Sequence, residues 1–186
     1  MQIDKVFIEY VSTLKNAKIL HIGGYMGEEG AFYKKQGFEF TYVEPLKHCA
    51  DFMRGKGYSV IEAAVSSSGT FYVAGTNASS ILPPLEHKLK GEIKVKHCLL
   101  SEIEEGFNVL VLDVQGASID VLETGNLTDF SVIICETSKS PRYVRERTYD
   151  EVVEYLMSRG FKFVKHYQHA HYDIYDLVFE REINVE

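Results

Sequence analysis

The sequence predicts an α/β fold built on a mostly parallel sheet, and three observations support this class. Over the first 65 residues, short apolar segments alternate with helical segments in the strand–helix–strand–helix–strand order of a parallel sheet. Two later segments, 109–113 and 131–135, are apolar almost throughout, as expected of parallel strands buried on both faces. The C-terminal segment reads as two strands joined by a short polar loop, which predicts an antiparallel hairpin.

The first half of the chain supplies three strands and two helices. Gly37 stops the first helix, and Glu44 with Pro45 ends the alternation of apolar and polar residues that marks the second strand. The first strand runs directly into a glycine-rich turn. The predicted strands are 18–22, 38–43 and 58–65, and the predicted helices are 27–36 and about 48–54.

The second half begins with a change of pattern. Segment 66–101 contains short strands, about 70–74 and 93–98, separated by turn residues, and we interpret it as a β insertion. Later, Thr148 and Glu151 form a capping box that predicts the start of a helix. We expect one domain over residues 1–186. The other predicted elements are strands 109–113 and 131–135, helices 118–124 and 148–159, and hairpin strands 161–167 and 172–181.

Composition and charge exclude several classes of function. Twenty Lys and Arg against 27 Asp and Glu give a net charge of −7, which repels nucleic-acid backbones and anionic membranes. The three cysteines are widely spaced and odd in number, so we expect reduced thiols. Residues 1–10 carry charges where a signal peptide needs an apolar core, and no run approaches about 18 apolar residues. We therefore expect a soluble cytoplasmic protein without nucleic-acid or membrane partners.

Polar residues at the carboxyl ends of the strands form the candidate site. Ligands of open α/β sheets bind at these ends, near the point where the strand order reverses. Gly23 and Gly27 let the backbone approach a ligand, and Glu44 follows Gly24 by 20 residues, the spacing at which a carboxylate binds ribose hydroxyls. The pattern predicts a nucleoside-containing cofactor. The strand-end residues are His21, Gly23, Gly24, Glu44, Ala64, Val65, Asp113 and Glu136.

Each of these signals also has a purely structural interpretation. The glycines can form a tight turn that only joins a strand to a helix. Glu44 can be a solvated strand end, and Asp113 can cap the helix that follows it. The same ambiguity holds for Glu136.

The glycine turn and five further motifs carry a family resemblance. The turn lacks the G-x-G-x-x-G fingerprint of dinucleotide sites and resembles the D-x-G-x-x-x-G loop of class I S-adenosylmethionine-dependent methyltransferases. The C-terminal hairpin resembles the seventh-strand insertion of that fold. Over about 18–180, six motifs occur in the order seen in the FkbM-type methyltransferase family. They are 23–27 (GGYMG), 42–45 (YVEP), 64–69 (AVSSSG), 79–81 (SSI), 113–117 (DVQGA) and 134–136 (ICE).

This resemblance implies a fold, a donor and an acceptor class. The fold is a Rossmann-like seven-stranded sheet of order 3-2-1-4-5-7-6 with helices on both faces. The donor is S-adenosylmethionine, and the acceptor is a hydroxyl of a sugar or another small metabolite. In the implied site the three glycines lie under the methionine part, Glu44 binds the ribose, Ala64 and Val65 wall the adenine, and Asp113 faces the reacting methyl group.

The sequence departs from the family pattern where the family has acids. His21 replaces one acid, and Gln115 and Ser118 replace both glutamates of the D-x-E-G-x-E motif. We predict that His21 and Asp113 are neighbours, with His21 either a general base of raised pKa or a structural hydrogen-bonding group. Three functions stay open: an O-methyltransferase, a binding module that has lost transfer chemistry, and an NAD-dependent oxidoreductase.

Two further groups of residues concern the acceptor and metals. Arg142 and Arg145 are candidates for binding an anionic acceptor, although these arginines can equally pair with nearby carboxylates of their loop. Glu136 is a further candidate for binding the substrate. His166, His169 and His171 lie close together, but we interpret them as exposed loop residues and predict no metal. We expect the acceptor site to be open or completed by another subunit of a homo-oligomer.

Overall fold

The computed structural model describes residues 5–75, 78–170 and 172–181. No helix within these ranges is long and apolar enough to cross a lipid bilayer. The helices are α1 (Lys5–Glu9), α2 (Gly30–Gln36), α3 (Lys47–Gly55), α4 (Ser118–Leu122) and α5 (Tyr149–Ser158). The strands are β1 (Lys18–Ile22), β2 (Glu39–Val43), β3 (Ser59–Ile61), β4 (Ala64–Val65), β5 (Phe71–Ala74), β6 (Leu89–Ile93), β7 (His97–Cys98), β8 (Val109–Leu112), β9 (Val132–Ser138), β10 (Phe161–Gln168) and β11 (Ile174–Arg181).

Seven strands form the main sheet in the order β3-β2-β1-β8-β9-β11-β10. The strands pair in parallel except for β11, which is antiparallel to both β9 and β10. Numbered along the chain within this sheet, the order is 3-2-1-4-5-7-6. The predicted α/β class, strand order and C-terminal hairpin are therefore confirmed. The order reverses between β1 and β8, where open α/β sheets bind their ligands.

Helices cover both faces of this sheet, because the strands that they cover are apolar on both sides. On one face, Leu20 and Ile22 of β1 belong to a core that includes α4 and α5. On the other face, Ile19 packs with side chains of α1, α2 and α3. All four residues of β8 are buried. The sheet thus forms a rigid layer whose strand ends position the site.

The predicted strand over 58–65 is wrong in one respect, because it is two strands. Strand β3 extends β2, whereas β4 leaves the main sheet and pairs in parallel with β7. Between them the carboxylate of Glu62 lies 2.9 Å from the guanidinium of Arg54, near the end of α3. This ion pair accompanies the turn of the chain away from the sheet.

The β insertion is confirmed, although its second strand lies earlier than predicted. Strands β5 and β6 form an antiparallel pair, and β6 covers Leu89–Ile93 rather than 93–98. At the end of the predicted strand 93–98, the two residues of β7 form a separate short strand that pairs with β4. Apolar and polar residues continue to alternate throughout 89–96. The sequence pattern therefore does not show where pairing with β5 ends and pairing with β4 begins.

The helix boundaries follow glycines and capping residues. Gly27 has a φ of +62° and its N–H donates to the carbonyl of Gly24 at 2.7 Å, so α2 starts at Gly30 rather than at 27. Gly37 ends α2 in the left-handed conformation, as predicted. The predicted capping box of α5 is confirmed, with the Thr148 N–H donating to the Glu151 carboxylate at 2.8 Å.

Candidate functional site

A cavity of about 230 Å³ lies at the carboxyl ends of the central strands, above the point where the strand order reverses. Residues that follow β1, β2 and β8 form its floor, and the start of the β insertion forms one wall. Most of the predicted strand-end residues meet here. Those that line the cavity are Gly23, Gly24, Glu44, Ala64, Val65, Asp113 and Glu136.

Glu44 holds the turn at the end of β2 and faces the cavity. One carboxylate oxygen accepts the N–H of Tyr25 at 2.8 Å, and the other accepts the N–H of Leu46 at 2.8 Å. Only 4% of Glu44 is exposed, and burial raises its pKa to about 7 even though both hydrogen bonds favour the charged form. Each oxygen retains a further lone pair, so the carboxylate can still accept a ligand hydroxyl.

The glycine turn is dictated by packing as much as by ligand access. A Cβ on Gly23 would lie 1.7 Å from the carbonyl oxygen of Asp113, and one on Gly24 would lie 2.4 Å from the ring of Tyr42. Gly27 does not line the cavity, because its missing side chain faces Met53 at 2.8 Å. The predicted cofactor-binding role of Gly27 is therefore not supported, whereas Gly23 and Gly24 lie where they were expected.

The predicted catalytic role of His21 is wrong. Ile22 lines the cavity, and successive strand residues point to opposite faces, so His21 points away from it. Its Nδ1 lies 3.0 Å from the Tyr33 hydroxyl, and its ring stacks against Phe7 with centroids 6.4 Å apart. Burial lowers the pKa of His21 to about 3 instead of raising it. The imidazole is a neutral core group, which matches the structural alternative.

A side-chain amide joins Asp113, which follows β8, to Glu136, which lies within β9. The Gln115 Nε2 donates to Asp113 at 2.6 Å and to Glu136 at 3.1 Å, while its carbonyl oxygen accepts the hydroxyl of Tyr143 at 3.0 Å. The alternative role of Asp113 as a helix cap is wrong, because the residue before α4 is Ala117 and it makes no side-chain capping bond. The sequence marked Gln115 only as a departure from a family motif.

Acidic side chains are the most numerous ionisable groups in the lining of the cavity. Five carboxylate side chains line it, and among the described residues that line it there is neither Lys nor Arg. The environment is therefore suited to a cationic ligand and repels an anionic one. The carboxylates are Glu28, Glu29, Glu44, Asp113 and Glu136.

Comparison with known proteins adds a family to this geometry. The FkbM methyltransferase domain matches residues 21–163, which is more than half of the chain. The chain belongs to the FkbM methyltransferase family. The S-adenosylmethionine-dependent methyltransferase that the resemblance implied is thereby confirmed at the level of the family. No curated protein matches the sequence.

Solved methyltransferases share the fold of this FkbM family member at low sequence identity. The magnesium protoporphyrin IX methyltransferase ChlM from Synechocystis PCC 6803, solved with S-adenosylmethionine, aligns with a TM-score of 0.58 at 10% identity, over 95% of this chain and 76% of that chain. A methyltransferase from Archaeoglobus fulgidus gives 0.57 at 12%, over 94% and 91%. The glycopeptide N-methyltransferase MtfA with S-adenosylhomocysteine gives 0.51 at 11%, over 94% and 85%.

Gln115 and Ser118, which replace the two glutamates of the FkbM family pattern, have structural roles. The amide of Gln115 donates hydrogen bonds to both Asp113 and Glu136. The Ser118 hydroxyl donates to the backbone carbonyl of Glu136 at 3.1 Å and so fixes α4 against β9. Both replacements hold the cavity rim without adding negative charge to it.

The arginines after β9 do not form the predicted anion clamp. The guanidinium of Arg142 lies 3.4 Å from Glu86, and Arg147 forms an ion pair with a carboxylate of α5. Arg145 borders a separate depression next to the β insertion. The carboxylate of Glu146 accepts the backbone N–H of Arg142 and folds this loop into a turn. These contacts agree with the paired-loop alternative.

The histidines of the hairpin loop do not share one environment. His166 is exposed and His171 lies outside the described residues. His169 is partly buried at the cavity rim, with its Nε2 2.9 Å from Asp176 and its Nδ1 4.0 Å from Glu136. The interpretation of His169 as an exposed loop residue is therefore wrong, because the hairpin folds it back over the ends of β9 and β11.

Proposed function

We propose that the chain transfers the methyl group of S-adenosylmethionine to a hydroxyl of an uncharged small molecule, for example a sugar. The observation that carries the proposal is a cavity at the strand-order reversal that is lined by five carboxylates and holds a buried Glu44.

The charge of the cavity favours this donor over a dinucleotide. S-adenosylmethionine carries a sulfonium and an ammonium against one carboxylate, so its net charge is positive. NAD carries a diphosphate, which binds at helix N-termini and glycine-rich turns with free N–H groups. Here the N–H groups of Gly23 and Gly24 are directed at the carbonyl of Val43, at 2.9 and 3.5 Å. Because the cavity is acidic and these two N–H groups already have a hydrogen-bond acceptor, the site suits S-adenosylmethionine better than NAD.

The residues present fit the parts of this donor. The carboxylate of Glu44 can accept the ribose hydroxyls, and the apolar side chains of Ala64, Val65 and Phe71 offer a wall for the adenine. Asp113 lies at the end of β8, on the side of the cavity where Glu136 and the acceptor rim begin. When bound, S-adenosylmethionine supplies a methyl group activated by the positive sulfur.

The remaining task for the chain is to position the acceptor and remove its proton. Asp113, Glu136 and His169 line the same cavity, and we assign the acceptor to them. Carboxylates and an imidazole can accept a hydroxyl proton, whereas a phosphate or carboxylate on the acceptor would be repelled. We therefore propose an uncharged acceptor and not the anionic acceptor that Arg142 suggested.

A turnover assay tests this function. Release of S-adenosylhomocysteine is followed with matched panels of neutral sugars, sugar acids, sugar phosphates and primary amines. We expect turnover with neutral hydroxyl compounds, and methyl ether formation verified by mass spectrometry. Transfer only to amines or to anionic acceptors would contradict the proposal. Tight donor binding with no turnover on any panel would instead favour the binding-module alternative.

A further inference from the structure

Glu136 of β9 and Asp176 of β11 are opposed across an antiparallel ladder. The two residues are register partners, so their side chains leave the sheet on the same face about 5 Å apart. Like charges placed directly opposite each other destabilise a sheet. Burial raises the pKa of Glu136 well above its usual value, and the charges of Asp113 and Asp176 add to this effect. Two neighbouring strands thus hold two carboxyl groups close together on one face of the sheet.

His169 adds a nitrogen to this pair. Its backbone N–H donates to the carbonyl of Ile174 at 2.9 Å, which closes the hairpin and fixes the residue over the ends of the strands. Its Nε2 lies 2.9 Å from Asp176. One ligand atom from each of Glu136, His169 and Asp176 lies within 4.8 Å of the other two. The three residues come from different elements, so the cluster depends on the fold and not on a local sequence motif.

We propose that Glu136, His169 and Asp176 form a binding site for a divalent transition-metal ion such as Mn²⁺. Two carboxylates and one imidazole are ligands that suit Mn²⁺ or Zn²⁺ better than Ca²⁺, which prefers oxygen alone. A bound cation offsets the repulsion that two ionised carboxylates at these positions would exert on each other. Gln115 donates to Glu136 at 3.1 Å and so orients one ligand from outside, as the outer contacts of metal sites commonly do.

The location of this site gives the ion a role, which rests on the proposed function. Glu136 and His169 both line the cavity, so the open coordination positions of the ion face the space assigned to the acceptor. A hydroxyl bound to such an ion loses its proton more readily, because the cation stabilises the oxygen anion. The O–H bond breaks, the proton passes to solvent, and the oxygen keeps the electron pair. As the new bond from this oxygen to the methyl carbon forms, the bond from that carbon to the sulfonium sulfur breaks, and S-adenosylhomocysteine leaves with the electron pair of the broken bond.

Titration of the purified full chain with Mn²⁺ tests the site without any acceptor or donor. Protein freed of metal with a chelator is titrated with MnCl₂, and free Mn²⁺ is quantified by electron paramagnetic resonance. We expect one Mn²⁺ per chain, and at least about 10-fold weaker binding in Glu136→Gln, His169→Gln and Asp176→Asn. Asp51→Asn is the matched control, because it removes an exposed carboxylate of α3 and should bind Mn²⁺ as the wild type does.

Thermal melts of the same proteins separate loss of binding from loss of fold. Without metal, each variant should still unfold in one cooperative transition, which shows that it is folded. With excess Mn²⁺ only the wild type and the control should gain stability. Absence of Mn²⁺ binding, or binding undiminished in all three variants, overturns the proposal. Because donor binding is measured separately, a failure here is distinguishable from a failure of the methyltransferase function.

Discussion

Gly23 at the end of β1 lies directly against Asp113 at the end of β8. A Cβ on Gly23 would stand 1.7 Å from the Asp113 carbonyl oxygen, and the φ of Gly23 is +91°. The two strands that flank the reversal of strand order can approach this closely only because one of them ends in glycine. The cavity floor therefore depends on a residue without a side chain, whatever the ligand.

Substitution of Gly23 should lower the free energy of unfolding by more than its positive φ alone explains. We expect Gly23→Ala to lower the free energy of unfolding by at least about 2 kcal/mol more than Gly37→Ala, measured by urea denaturation. Gly37 is a matched control because its φ is +74° and no atom lies within 4 Å of the added Cβ. Equal costs for the two variants would show that the contact with Asp113 does not constrain the turn.

The buried imidazole of His21 should make the protein sensitive to acid. Its folded pKa of about 3 lies below the ordinary value of 6.5, so the unfolded chain binds a proton that the folded chain excludes. Stability is therefore lost as the pH falls from 6.5 toward 3, at up to about 1.4 kcal/mol per pH unit. Between pH 7 and 4.5, His21→Gln should lose about 2 kcal/mol less stability than the wild type. An equal loss of stability in the two proteins would show that His21 does not cause the sensitivity to acid.

The affinity for S-adenosylmethionine should rise with pH between 6 and 8. In the free protein the pKa of Glu44 is about 7, and ribose hydroxyls donated to its carboxylate favour the charged form. Binding therefore lowers the pKa of Glu44 and releases a proton at pH 6. Calorimetry in two buffers of different ionisation enthalpy measures that proton. The release should vanish in Glu44→Gln, and an identical release in this variant would assign the proton to another group.

Restoring the family acid next to Asp113 should destabilise the protein. In Gln115→Glu the amide that donates to Asp113 and Glu136 becomes a third acceptor between them. We expect the free energy of unfolding at pH 8, in chelator, to fall by about 1 to 3 kcal/mol. Gln115→Met removes the same hydrogen bonds without adding charge and should cost less. A Glu variant as stable as the wild type would mean that the two acids are not held together by this amide.

Much of the fold was predictable because the strands are short and apolar and are separated by residues that form turns or end helices. Segment 109–113 reads as a buried parallel strand, and Gly37 marks a helix end, since both features are local properties of the chain. The division of 58–65 was not predictable. It depends on which distant strand pairs with Ala64 and Val65, and no local pattern records that partner.

The candidate site was predictable on its donor side and not on its acceptor side. Glu44 and Asp113 end their strands, and topology alone brings strand ends to one edge of the sheet. His21 was misassigned because alternation along β1 does not indicate which face borders the cavity. Glu136 meets His169 and Asp176 only through the return of the C-terminal hairpin, because both of these residues lie more than 30 positions further along the chain.

Calorimetric titration of the wild type and Glu44→Ala with S-adenosylmethionine and with NAD at pH 8 distinguishes the proposed donor site from a dinucleotide site. We expect one S-adenosylmethionine per wild-type chain, no measurable NAD binding, and donor binding weakened by about 1.5 to 3 kcal/mol in Glu44→Ala. Thermal melts show whether the variant is folded. Undiminished donor affinity in folded Glu44→Ala, or NAD binding as tight as that of S-adenosylmethionine, would contradict the account.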